Sequence, residues 1–380
     1  MERYDVAVVG LGVIGSGAAY QSAIKGAKVI GFEQFEFGHV RGASHDTSRI
    51  VRTSYGSPEF VALARSAYKD WAELEKRSGI RLLDITGGVV LIPRGGPTKI
   101  SEFTESLAAN GVPFEVYDRQ QIHERWNGFH VPEGVDAVYT PDSGITHASK
   151  AVAAMQSQAR ANGAVLKERT AVLAVTPQKN GDVIVETSRG SYRAGKVILA
   201  ADAWINKLLK PLDAEISLTV MQVQITYFRP MEPERFEPSR FPVWIWAGET
   251  WYYGFPTYGE PTLKAGQDAQ GSVMAPEERS FVHSPELQRK LTAFMDTIIP
   301  DHGQAVRTVT CQYTITEDRQ FMIGPLAQHP NIYVGLGNGH AFKFGPTIGR
   351  VLSELAIDGR TTDDISRFPV PTPDAGTTKL

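Results

Sequence analysis

The stretch from residue 5 to residue 33 constrains the fold more than any other. Residues 5–9 are a short apolar run with strand character, and GLGVIGSG follows, placing Gly10, Gly12 and Gly15 in GxGxxG spacing. Residues 14–25 then carry small and apolar side chains at helical intervals, and residues 28–32 form a second apolar run ending at Glu33. Strand, glycine turn, helix and strand in that order make a βαβ unit. The first glycine permits the tight turn, the second lets backbone approach a pyrophosphate, and the third lets helix and strand pack closely. Ile14 stands at the start of the helix, whose N-terminus faces the phosphates with unpaired N–H groups. Glu33 is placed to accept hydrogen bonds from an adenosine ribose. The unit predicts a dinucleotide site and does not by itself decide between NAD and FAD.

A pure NAD protein would continue with more βαβ repeats. This chain instead runs into GHVRGASHDTSRIVRTSYG, a glycine- and serine-rich loop holding His45, Arg49 and Arg52. Such a loop suits the second portion of a dinucleotide and a substrate brought against it. Periodicity then predicts a helix over 60–78, two strands about a turn over 82–92, helices over 101–109 and 118–126, and a helix over 146–163. Strands are expected over 165–175 and 181–185, and SRGSYRAGK reads as a hairpin ahead of a buried strand at 197–201. A β-rich, aromatic region spans 218–271, a helix 287–299, and strands over 305–316 and 320–323 frame a turn at Glu317 and Asp318. A strand at 331–336, a glycine-rich loop at 337–345 and a helix at 346–357 repeat the physical form of the first unit. We therefore expect an α/β fold: a Rossmann-like nucleotide domain assembled from discontinuous segments, with a β-rich α+β substrate domain between them.

Composition narrows the class. A chain of 380 residues with 42% apolar content suits two domains. Lys and Arg number 39 against 42 Asp and Glu, a formal net charge of -3, and no long basic run argues for nucleic acid. Apolar runs are short and interrupted, which argues against a membrane span. The first residues enter a strand at once, leaving no room for a secretory leader, and the single cysteine fits a reducing compartment, so a cytoplasmic protein is expected. Thr378-Lys379-Leu380 loosely resembles a peroxisomal address, which stands as the alternative. No close-spaced set of Cys and His metal ligands is visible, so no metal is expected. Cys311, in VTCQYTITEDRQF, has no partner for an internal disulfide. An inert buried residue, a reactive thiol and an attachment point all remain open for it.

GLGVIGSG with Glu33, SHDTSRIVR, WYYGFPTYGEPTLKAG, TCQYTITEDRQF and GNGHAFKFG, in that order, resemble the monomeric sarcosine oxidase family. That family includes N-methyltryptophan, pipecolate and fructosyl-amino-acid oxidases, and the resemblance covers about residues 4–368. It implies FAD bonded covalently through the sulfur of Cys311 to the flavin 8α-methyl carbon. It also implies a small amino-acid-like secondary amine as substrate and O2 as acceptor, with imine or aldehyde and H2O2 as products. A monomer without nucleic-acid or membrane partners is expected. The implied division gives FAD residues 1–82, 145–215 and 305–368, substrate 83–144 and 216–304, and a flexible tail 369–380.

Carried over by position, Arg52 and Lys343 hold the substrate carboxylate and Arg49 lies over the flavin face. Lys264 stands near flavin N5 and serves oxygen activation, with Tyr253 and His45 completing the catalytic group. Beyond the glycine turn, Ile14 and Glu33, the resemblance assigns Ser44, Ser48 and Val172 to the cofactor. Gly339, His340 and Lys343 join them from the C-terminal loop. Ser48 stands where sarcosine oxidases carry threonine, Asp268 where they carry a histidine that helps set the pocket, and Ala341 where GHGFK has its second glycine. AADAW also departs from AGPW or AGAW. Asp268 exchanges a potential donor for an acceptor, so the substrate stays open between a sarcosine-like amine, pipecolate or another cyclic imino acid, and a fructosyl amino acid. An FAD dehydrogenase passing electrons to a carrier and a non-enzymatic nucleotide-binding protein are the readings from other classes.

Overall fold

The computed structural model describes residues 1–372. The first unit forms as strand Arg3–Val9, helix Val13–Ile24 and strand Val29–Phe32. The two strands pair in parallel from Val6 opposite Val29 to Val9 opposite Phe32. All four residues of the second are buried, as a parallel strand covered on both faces requires. Val165–Lys167 extends the sheet on one side. The expected strand over 165–175 is broken there, because Arg169 turns at φ 50 and the backbone N–H groups of Arg169 and Thr170 donate to the carbonyls of Phe35 and Glu33.

On the other side of Arg3–Val9 lies Gly190–Leu199, one strand of 10 residues where the sequence suggested a hairpin and then a separate strand. Its first half pairs antiparallel with Val183–Thr187, and Val197–Leu199 pairs in parallel with His329–Leu336. The glycine at residue 190 does turn the chain, and the strand simply runs on and changes neighbours. Helix Gly345–Asp358 then returns against Val13–Ile24 at close range: a Cβ on Gly349 would lie 2.4 Å from the carbonyl carbon of Gly17. That contact brings the loop 337–345 beside the first glycine turn.

A second sheet has nine strands. Thr219–Arg229 pairs with Leu263–Gln267, and beyond it follow Trp251–Phe255, Val243–Ala247, Gly88–Pro93, Val135–Thr140 and Glu115–Tyr117. The sequence grouped residues 305–316 with the nucleotide segments; the strand Gln304–Ile315 is instead hydrogen-bonded antiparallel to Thr219–Arg229, with Cys311 opposite Val223. A strand of 12 residues needs a partner of similar length to satisfy its backbone, and the 11-residue Thr219–Arg229 provides it. The two strands expected over 82–92 also part company. Leu83–Ile85 joins Gly144–Thr146 and Arg49–Val51 in a small third sheet, while Gly88–Pro93 enters the large one.

Trp244, Phe228, Phe241 and Phe129 fill one face of the large sheet under Leu291, Met295 and Ile298 of helix Pro285–Ile298. Each such fully buried side chain contributes about 2 kcal/mol. Phe368 is buried against Phe60 and Phe321, and Val370 rests on the core of the first sheet, so the tail is held at its beginning. The rest of the tail, including Thr378-Lys379-Leu380, lies outside the described residues. No helix among the described residues is long and apolar enough to cross a membrane.

Candidate active site

A cavity of about 710 Å³ runs from Glu33 and the first glycine turn to the face of the large sheet. Gly10 takes φ +86, and a Cβ there would sit 2.5 Å from the Ala200 carbonyl oxygen. Gly12 and Ile14 line the wall; Gly15 does not, and packs so close that a Cβ would lie 1.8 Å from the Gly10 oxygen. Gly15 therefore acts through the shape of the turn. Ser44 Oγ accepts the Val13 N–H at 3.0 Å, tying the second loop to the helix start. The Glu33 carboxylate accepts the backbone N–H groups of Leu11 at 3.0 Å and Phe35 at 3.1 Å. Each oxygen keeps a lone pair for a ribose hydroxyl. With Val172 on the same wall, this end fits the adenosine diphosphate portion of FAD.

The opposite end is made of side chains from separate elements. Lys264 projects from Leu263–Gln267, flanked in register by Tyr227 and Phe255. Its Nζ lies 2.6 Å from Asp46 Oδ2, 2.9 Å from the Ser48 carbonyl and 3.1 Å from Ser48 Oγ. Burial pulls the ammonium down to about 8, against the opposing pull of the Asp46 carboxylate. Arg49 donates to the carbonyls of Ser48 and Ala43, both at 2.9 Å, and its Nη2 lies 3.9 Å from Cys311 Sγ. Cys311 is buried and faces the cavity, with the Arg49 guanidinium beside it.

Arg52 and Lys343 flank Tyr55: the guanidinium carbon is 3.9 Å and the ammonium 5.8 Å from its ring centre. Arg52 Nη1 is buried and has no hydrogen-bond partner among the described residues. Lys343 Nζ donates to the His340 carbonyl at 2.9 Å, and burial together with Arg52 holds it well below the usual lysine range. Two buried cations side by side, one with an unused N–H, call for an anion. His45 and His340 are both drawn down to about 3, in each case first by burial, and His45 Nε2 has no partner among the described residues. Tyr253 borders the same space, its phenol pushed well up by burial. Gly339 and Ala341 close the cavity from the C-terminal loop.

Asp268 already accepts an N–H on each of its oxygens. Arg319 grips it at 2.7 and 3.3 Å, so the acceptor expected from the sequence stands as one half of an ion pair. Four residues at this end went unread in the sequence: Asp46, Tyr55, Tyr227 and Arg319. Asp46 sits inside SHDTSR and Arg319 inside TEDRQF, so their motifs were visible and their partners were not. Tyr227 lies in an alternating strand, where an aromatic reads as packing.

A sequence model of the FAD dependent oxidoreductase family matches residues 5–355. Monomeric sarcosine oxidase of Bacillus sp. (strain B-0618) is 34% identical over 379 residues, 98% of this chain and 96% of that one. Peroxisomal sarcosine oxidase of Homo sapiens is 29% identical over 382 residues, covering 97% of each. Among solved structures, NikD, described as an unusual amino acid oxidase essential for nikkomycin biosynthesis, superposes with a TM-score of 0.86 at 29% identity over 98% of both chains. Fold and cavity define the class, an FAD-dependent oxidoreductase. Within that class the chain belongs to the monomeric sarcosine oxidase family.

Proposed function

We propose that the chain oxidises the secondary amine of a small N-substituted amino acid, with FAD linked through Cys311 and O2 as acceptor. The observation that carries the reading is the pair of buried cations at Arg52 and Lys343, both lining the cavity, with an Arg52 guanidinium nitrogen that has no hydrogen-bond partner among the described residues. A substrate carboxylate there gains charge-assisted hydrogen bonds and removes the mutual repulsion of the two cations. Fixing one end of a small molecule holds its amine and adjacent carbon in one orientation, which is where much of the rate comes from.

FAD, when bound, supplies the two-electron acceptor that takes a hydride from the carbon next to the amine and passes the electrons to O2. The protein supplies the rest. Cationic walls at Arg49, Arg52 and Lys343 disfavour an ammonium in the pocket, so the substrate nitrogen keeps the lone pair that becomes the imine bond. Water then cleaves the imine; for sarcosine the balance is sarcosine, O2 and water giving glycine, formaldehyde and H2O2. Lys264 presents its ammonium where charge develops on oxygen. Residues 1–82, 145–215 and 316–368 would carry FAD. The strand Gln304–Ile315, itself part of the large sheet, would carry Cys311, and 83–144 with 216–304 would shape the substrate side.

A panel of sarcosine, L-pipecolate and a fructosyl amino acid, scored by peroxide release, ranks the substrates. Release with none of the three would overturn the proposal. Rapid flavin bleaching by substrate followed by negligible reoxidation in air would instead identify a dehydrogenase.

A further inference from the structure

The loop just ahead of Arg49 holds an aspartate in a backbone conformation that few side chains adopt. Asp46 lies at φ 86, in the left-handed region where an L side chain is strained. Contacts on every side hold it there. Its Oδ2 is 2.6 Å from Lys264 Nζ, and the two side chains are 10% and 4% exposed. Its Oδ1 accepts the Tyr227 hydroxyl at 2.8 Å, and its carbonyl accepts the Ser149 N–H and hydroxyl. Tyr227 is itself buried; its hydroxyl also lies 3.4 Å from Thr47 Oγ1, and Arg307 stacks 3.9 Å over its ring. Arg307 is 47% exposed and paired with Glu260 at the surface. A buried ammonium is thus joined by a carboxylate and a phenol to the solvent edge of the large sheet.

We propose that Asp46 is the positioning residue for Lys264 and that Asp46 and Tyr227 form the route by which a proton reaches that ammonium from solvent. The inference rests on the reading of Lys264 as the group facing O2. Forming H2O2 from O2 takes two electrons and two protons. The electrons and one proton come from reduced FAD, and the other proton leaves Lys264 Nζ. Asp46 Oδ1 takes the Tyr227 hydroxyl proton, the carboxylic acid turns about its Cβ–Cγ bond to present that O–H to the neutral Lys264 amine and gives it up there, and water at the Arg307 edge restores the phenol. The groups facing Lys264 explain why it needs a carboxylate. Arg49 repels it, His45 beside the loop stays neutral, Tyr227 stands opposite it on the neighbouring strand and Cys311 lies one strand further on. Asp46 is the one carboxylate in contact with it among the described residues. Without Asp46, burial and Arg49 would leave the lysine neutral at neutral pH.

The test uses FAD-loaded protein labelled with ¹⁵N-lysine, with Lys264→Met to assign the signal. In Asp46→Asn the Lys264 titration should move down by about one unit or more. Asp46→Gly, which relieves the φ strain, should show the same shift while unfolding at the same or a higher temperature. Reoxidation of pre-reduced protein by O2 should slow about tenfold in Asp46→Asn at neutral pH and recover on acidification, with reduction by substrate held within about twofold. Tyr227→Phe should slow reoxidation and leave the Lys264 titration in place. A Lys264 titration unmoved in both Asp46 variants would overturn the positioning role. Reoxidation unchanged in Tyr227→Phe would overturn the route. A wild-type protein that releases no peroxide would overturn the functional reading and the route with it, recognisable because the titration shift in Asp46→Asn would persist.

Discussion

The two ends of the cavity are built from different materials. At the Glu33 end the wall is backbone: a turn in which a single added carbon on Gly10 or Gly15 would overlap a carbonyl oxygen. At the Lys264 end the wall is side chains, delivered by the loop around Asp46, five strands of the large sheet and the loop at 337–345. A backbone site tolerates no added volume and keeps its chemistry whatever surrounds it. A side-chain site keeps its shape under exchange and changes its chemistry. The sharpest way to break this contrast is Gly15→Val. With Cβ placed 1.8 Å from the Gly10 oxygen, the turn must open, and we expect a loss of more than about 4 kcal/mol and colourless protein. Gly12→Ala, whose Cβ would meet the Ser44 side chain at 3.0 Å and no backbone, should keep the folded turn and lose its flavin only in part, by crowding the pyrophosphate. Equal flavin content in the two variants, read from visible absorbance, would refute the distinction.

At the other end, Cys311→Ala should change the attachment and leave the fold intact. The unaltered protein should keep its yellow chromophore after acid precipitation, and the variant should release it or fail to hold it. Release of all flavin from the unaltered protein would remove the covalent bond from the proposal. Arg52→Ala should lower kcat/KM by roughly 100-fold if the proposed clamp holds the substrate carboxylate, since it would delete a buried charge-assisted partner worth about 3 kcal/mol. An uncharged amine lacking the carboxylate should lose far less between the two proteins; an equal loss would mean that Arg52 supports the site by packing on Tyr55.

The backbone end was legible in the sequence because its information is local. Three glycines at fixed spacing, an apolar run on either side and an acid at the second strand's end describe the turn completely. The side-chain end was legible only as a set of isolated positions. Lys264, Arg52, Lys343 and Cys311 do converge on one cavity. Their partners could not be seen, because a pair such as Lys264 with Asp46 depends on a left-handed residue and on strand register far away in the chain. The same limit explains Gln304–Ile315, whose alternation announced a strand and whose partner was set by length.

Acid should expose the same end. His45 and His340 are held neutral down to about 3, whereas the unfolded chain protonates them near 6.5. Below 6.5 the unfolded state binds protons that the folded state refuses, so stability is whole above that pH and falls as it drops toward 3. Unfolding temperatures should decline by a few degrees between pH 6.5 and about pH 5. His45→Gln should flatten part of that slope, and an unchanged slope would show that other groups carry the acid sensitivity.

The smallest effect on stability, and the most telling for substrate, belongs to Asp268. Its ion pair with Arg319 is partly exposed, 20% on the carboxylate and 34% on the guanidinium, so Asp268→Asn should change stability by about 1 kcal/mol at most. What the substitution does change is charge beside the proposed carboxylate clamp. Arg319 loses its counterion and becomes another free cation near Arg52 and Lys343, so the pocket should tolerate a second anionic group better than the unaltered protein does. Comparing sarcosine with an N-substituted amino acid bearing an extra carboxylate measures this directly, as a ratio of kcat/KM values. A ratio that moves toward the doubly charged substrate places the pair at the specificity wall. A ratio unchanged while stability falls would make Asp268 and Arg319 a brace between the strand Leu263–Gln267 and the turn at Glu317, with substrate choice set by the aromatic wall around Tyr253.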